Sequence, residues 1–212
     1  MYLTRILNSE SGSPFLNHIR LGVQDNLEIE SNGYWRVSMA TIVDGILSLI
    51  SSNPKKDRDL MHKKSVNRGR NRTDLRNSDK SPLRKLFIEG NDKGLFELLY
   101  SFFISAAEIF WAKAPERSYI RKTVGIQALF DILRLILSQS GADNFHRELF
   151  SAKLRKAAHV DFSNSFFQAS GTGRGRIRNV IGICAGIIEL GAIKTSDEDK
   201  LMYKQICFSG KK

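Results

Sequence analysis

Between Asp92 and Ala114 the sequence reads DKGLFELLYSFFISAAEIFWAKA, a stretch that leaves only a narrow polar strip when wound as a helix. At helical spacing Leu95, Leu99, Phe102, Ala106 and Ile109 form one apolar stripe, and Phe96, Phe103 and Phe110 form a second beside it. A helix apolar over so much of its girth has to be covered from several sides. The rest of the chain is therefore expected to wrap around it. Asp92 is expected to cap this helix, and Ala114-Pro115 to close it.

Other segments carry shorter signals of the same kind. Leu3, Ile6 and Leu7 share a helical face within residues 1–9. HIRLGV and YWRVSM alternate apolar and polar residues as two short strands, with Asn32-Gly33 a turn before the second. Ser38 can cap a helix running to about Ser52, where Asn53-Pro54 stops it. SPLRKLFIEGND suggests a short helix ended by Gly90. Over 123–138, Gln127, Asp131, Arg134 and Ser138 fall on one face, while Leu129, Ile132, Leu133 and Ile136 fall on the other. Thr123 is expected to be its N-cap, and Gly125 to admit a close backbone approach. Helices over 144–158 and from Ile177 to Gly191 follow, and Ser196 with Asp199 marks a capping-box-like start for a last one. The expected fold is mainly α, one helical domain over 1–212 with a small β element of two short strands near the N-terminus.

Charge is the second strong feature. The 212 residues carry 33 Lys and Arg against 22 Asp and Glu, a formal +11. Residues 53–85 alone hold 12 basic against 4 acidic side chains, a surplus of eight, with few apolar residues between them. Residues 53–82 are expected to be a basic, mobile internal loop. An excess of this size suits a polyanionic partner, and nucleic acid before any membrane surface. No apolar run approaches the about 20 residues that span a bilayer, and Met1–Glu10 lacks the pattern of a secretory leader. Lys55, Lys56, Arg58, Lys63, Lys64, Arg68, Arg70, Arg72 and Arg76 are candidates for phosphate contacts; without interleaved aromatic residues they would not read bases. GTGRGRIR adds Arg174, Arg176 and Arg178 on an expected flexible glycine turn before a helix. It lacks the Walker spacing, and no strand precedes it as a dinucleotide fingerprint requires.

Catalytic signals are absent from the sequence pattern. His18, His62, His146 and His159 form no metal-ligand spacing, Ser13 and Ser170 lie in no nucleophile elbow, and Cys184 and Cys207 form no CxxC. No catalytic residue, metal or cofactor is nominated, and Cys184 reads as a small core residue in a reduced, cytoplasmic setting.

Several stretches together resemble the later part of DGQHR-domain, DndB-like proteins. Ser13, Pro14, Phe15, Asn17 and Ile19 match an SPF-type turn leading to a short strand. A helix ending in NP, a charged variable region and a Phe-rich helix come next. Lys122, Thr123, Gly125, Ala128 and Leu129 then match a KT-G-xx-AL helix start. The order covers most of residues 3–137. The Asp-Gly-Gln-His-Arg motif itself is missing, since Val43-Asp44-Gly45-Ile46 is no equivalent. The resemblance implies that the chain corresponds to the C-terminal part of such a protein. Any nucleotide or catalytic function would then belong to an upstream, ParB-like region. It further implies a DNA-associated role in DNA modification or phage defence. The alternative is a protein-interaction scaffold whose apolar face completes an N-terminal half or another subunit.

Overall fold

The computed structural model describes residues 2–22, 35–63, 72–75, 78–140 and 146–208. Nine α-helices and two short strands lie among them. In chain order these are α1 (Tyr2–Ser9), β1 (Ile19–Arg20), β2 (Val37–Ser38), α2 (Met39–Ile50), α3 (Pro54–Lys63), α4 (Arg84–Ile88), α5 (Asp92–Ala106), α6 (Thr123–Ser140), α7 (Arg147–Arg155), α8 (Gly171–Cys184) and α9 (Asp197–Phe208). The mainly α architecture with a small N-terminal β element is the one the sequence pattern predicts. The strands pair in parallel, Ile19 with Val37 and Arg20 with Ser38.

α5 is the post around which the core forms. Leu95, Leu98, Leu99, Phe102, Phe103 and Ala106 are buried on it. α7 packs along one side, where Phe150 meets Phe102 edge-to-face at 5.3 Å. Phe130 of α6 meets Phe103 at 4.9 Å on another. Its cap is Asn91, whose side chain accepts the Gly94 N–H at 2.8 Å; Asp92, the expected cap, is the first helical residue. Asp92–Trp111 forms a helical run of 20 residues with mean hydropathy 1.3, long and apolar enough to cross a membrane, yet half of it is buried by the rest of the chain.

At Ala107–Trp111 the helix continues as a π-turn, with the Ala112 N–H bonded to the Ala107 carbonyl at 2.9 Å. One extra residue in the turn shifts the phase of everything after it. Trp111 therefore takes the place beside Phe103 that the sequence stripe assigns to Phe110, at 6.3 Å between stacked rings. Phe110 turns instead to Phe162, at 5.5 Å. Phe15 of the SPF turn is completely buried, with Phe103 at 4.8 Å and Trp111 at 5.4 Å around it. The Ser13 hydroxyl fixes this turn by donating to the Leu7 carbonyl at 2.5 Å.

α6 is the innermost helix, packed between α2 and α8. Thr123 is its first residue, not its cap: the Ile126 N–H closes on the Lys122 carbonyl at 3.0 Å. A 3₁₀ turn at Tyr119–Arg121 lies directly against its first turn. A Cβ at Gly125 would sit 2.3 Å from the carbonyl oxygens of both Tyr119 and Ile120, so only glycine lets the two turns meet. The close approach expected of Gly125 is present, and the approaching backbone is that of the preceding turn.

His18 marks the edge of the β element. Its Nδ1 lies 2.8 Å from the Trp35 carbonyl and its ring stacks on the Trp35 indole at 4.3 Å. Burial lowers its pKa from the usual 6.5, and Arg36 and Arg121 add to the effect against the Trp35 hydrogen bond.

Two outcomes test this packing. Gly125→Ala should cost about 1–3 kcal/mol in denaturant unfolding, because backbone carbonyls cannot step aside as a side chain does. His18 binds a proton more readily in the unfolded chain, so stability should fall as pH drops below about 6.5 and towards its lower folded pKa. In His18→Asn, which keeps a donor near the Trp35 carbonyl, that pH slope should disappear.

Candidate nucleic-acid interface

The basic segment begins on a helix that its composition concealed. Asn53-Pro54 ends α2 and also starts α3. Pro54 occupies the first helical position, where its missing N–H costs nothing. The Asn53 side chain accepts from the Lys56 N–H at 3.0 Å and its carbonyl from the Asp57 N–H at 3.1 Å. Residues 54–63 are thus helical where the composition predicts a mobile loop, because the Asn53 cap and one ion pair supply what the scarce apolar side chains do not.

That ion pair is Arg84 with Asp57. The Arg84 side chain is almost completely buried. Nη1 donates to Asp57 Oδ2 and to the Ile50 carbonyl at 3.3 Å, and Nη2 to Asp57 Oδ1 at 3.1 Å. The Ser51 hydroxyl donates to Asp57 Oδ2 at 2.6 Å. Burial works to raise the Asp57 pKa, but the bonds from Arg84 and Ser51 outweigh it and hold the carboxyl below its usual 3.8. A second clamp closes the far end of the segment. Asp79 accepts from the Ser52 N–H and hydroxyl, both at 2.8 Å, and from the Ser81 N–H at 2.8 Å. Again burial opposes the shift and these bonds win, leaving Asp79 strongly acidic.

With Asp57 turned inward, Lys55, Lys56 and Arg58 face solvent. Neither lysine has a carboxylate partner among the described residues, and Arg58 touches only the exposed Asp59 at 3.6 Å. Lys63 closes the helix. Lys64, Arg68, Arg70 and Arg76 lie outside the described residues. Arg72 is committed elsewhere: it grips Asp92 through Nη1 at 2.5 Å and Nη2 at 3.0 Å and lies 4.4 Å over the Phe87 ring.

The second arginine group is also folded. GTGRGRIR opens α8 instead of forming a flexible turn. The Ser170 side chain caps it by accepting from the Gly173 N–H at 3.2 Å, and a bidentate pair from Arg174 to Asp131 of α6, both contacts 2.7 Å, ties it down. Arg176 donates to Asp199 at 2.8 Å and to the Phe166 carbonyl at 3.0 Å. Arg178 differs from both. Its Nε and Nη2 donate to the neutral Asn179 Oδ1, at 3.0 and 2.8 Å. α8 ends earlier than Gly191, at Cys184, and the chain turns away at Gly186 (φ +69°), with the Ile187 N–H on the Gly182 carbonyl at 2.8 Å and the Gly186 N–H on the Ile183 carbonyl at 3.0 Å.

Little in the described residues favours nucleophilic or metal chemistry. No three His, Cys, Asp or Glu side chains converge there on a metal-sized site. Cys184 is partly buried; hydrogen bonding with it, together with burial, raises the Cys207 thiol far above its ordinary range. Comparisons with protein-family models, with curated proteins and with solved structures found no match.

Arg84→Ala would leave Asp57 stranded and should cost about 3–5 kcal/mol in urea unfolding, with loss of α3 helicity. The Asp57 contribution should be present above about pH 3.8 and lost as pH falls through its depressed folded value. Acid titration of wild type and Asp57→Asn would show it as a stability difference that is full above that pH and shrinks as the solution is made more acidic.

Proposed function

We propose that this chain is a non-enzymatic, nucleic-acid-associated module that holds phosphate backbones on the outer face of α3. The observation that carries the reading is the division of labour within that helix. Asp57 is withdrawn into the Arg84 clamp, while Lys55, Lys56 and Arg58 stand in solvent at a fixed spacing. Cations held on a rigid element lose less freedom on meeting a phosphate than cations on a loose chain. The surplus of eight positive charges over residues 53–85 extends the same field. Such contacts position a duplex without reading its sequence. The resemblance to DndB-like proteins supports a setting in DNA modification or phage defence, beside an N-terminal DGQHR-containing half. The scaffold alternative has less support, since α6, α7 and the SPF turn pack on part of the apolar girth of α5.

A salt titration of duplex binding tests the proposal. Affinity should fall steeply with salt, and reversing Lys55, Lys56 and Arg58 to Glu should flatten the slope by about three released counterions. Undetectable binding at low salt, or an unchanged slope after reversal and after deletion of 55–80, would refute it.

A further inference from the structure

The polar face of α6 borders a cavity of about 560 Å³ that the basic segment does not share. α6 contributes Asp131, Arg134 and Ser138, α8 contributes Arg178 and Asn179, and the chain just past a 3₁₀ turn at Leu190–Ala192 adds Lys194. The charges here do not cancel. Asp131 is consumed by Arg174 from the neighbouring turn of α8. Arg178 is held by an amide, and neither it, Arg134 nor Lys194 has a carboxylate partner among the described residues. Three cations therefore face a cavity whose single carboxylate is already neutralised.

The Arg178 grip is itself built. Asn179 is buried, and its Nδ2 donates to the Tyr203 hydroxyl of α9 at 3.1 Å, which fixes the amide so that Oδ1 faces the guanidinium. A carboxylate at 179 would have quenched the charge; the amide orients it and leaves it available. Next to the lining residues Ser138 and Ile188, Gln139 donates to the Ile187 carbonyl at 3.1 Å and ties α6 to the chain after α8. Between these polar groups Leu135, Ile188 and Ile193 supply apolar lining.

We infer that this cavity is a binding site for a small organic phosphate of mononucleotide size. Its anionic group would sit among Arg134, Arg178 and Lys194, and its apolar ring against Leu135, Ile188 and Ile193. The volume falls in the range of pockets that enclose such ligands, about 300–1,000 Å³, and the lining combines polar groups with apolar side chains. Planar guanidinium groups suit a phosphate, whose oxygens accept paired hydrogen bonds. This site is separate from the α3 surface and does not rest on that reading.

Calorimetric titration of the full chain with AMP and CMP, inorganic phosphate and adenosine tests the assignment. A mononucleotide should bind, with phosphate and adenosine each at least about tenfold weaker, since each meets only half the site. Arg134→Gln with Lys194→Gln, both on the rim, should weaken it by about tenfold or more, the scale of one charge-assisted hydrogen bond. Arg178→Gln should do the same where circular dichroism shows it folded. The Lys55, Lys56 and Arg58 reversals should leave the affinity unchanged, which separates this site from the duplex surface. A 5′-phosphorylated tetranucleotide that binds as tightly as AMP would assign the ligand to a strand end; one that binds far more weakly would assign it to a free nucleotide. No heat with millimolar mononucleotide, phosphate binding as tight as AMP, or an Arg134/Lys194 variant with unaltered affinity would overturn the inference.

Discussion

A single buried guanidinium organises the basic segment of this protein. Arg84 sits at the start of α4, yet its bonds reach the last carbonyl of α2 and the first turn of α3. Removing a charge from water is expensive unless its partners are complete, and Arg84 has them: a bidentate carboxylate, a main-chain oxygen and a serine that completes the carboxylate in turn. Three helices are thereby set at fixed relative positions in a region with few apolar side chains to do it. The outward face of α3 has its geometry only because the inward face is satisfied.

The same logic separates the arginines of α8. Arg174 and Arg176 are matched to aspartates and serve as ties between helices. Arg178, two residues further, meets an amide. Three arginines in five residues look alike in sequence, but their partners give two of them to structure and one to a cavity. Charge surplus is thus a poor guide to available charge until the partners are known.

The sequence made most of the helical frame legible, and the reasons are local. The Ser38 cap, the two faces of α6 and the Ser196 start depend on neighbours within one turn, as does the tight position at Gly125. Errors arose where one residue had two meanings or where a contact came from afar. Pro54 stops one helix and also starts the next. The glycines of GTGRGRIR suggested a loose turn, but Asp131, 43 residues away, anchors it as a helix. The polar face of α6 was visible, though nothing in its own stretch said that Arg178 and Lys194 would complete a cavity beside it. The basic segment stands out in composition, while its clamp depends on Asp57 pairing 27 residues downstream.

The π-turn at Ala107–Trp111 has a mechanical consequence for the whole molecule. By turning adjacent residues to different neighbours, it joins two aromatic chains end to end. One runs from Trp35 through Phe15 to Trp111. The other runs from Phe110 through Phe162, Phe167 and Phe166 to Tyr203 of α9. Rings in van der Waals contact transmit displacement with little slack. The first and last fifths of the sequence, far apart along the chain, thus share one stiff spine. A substitution that removes a ring near either end therefore leaves a gap in a row of contacts that crosses most of the core.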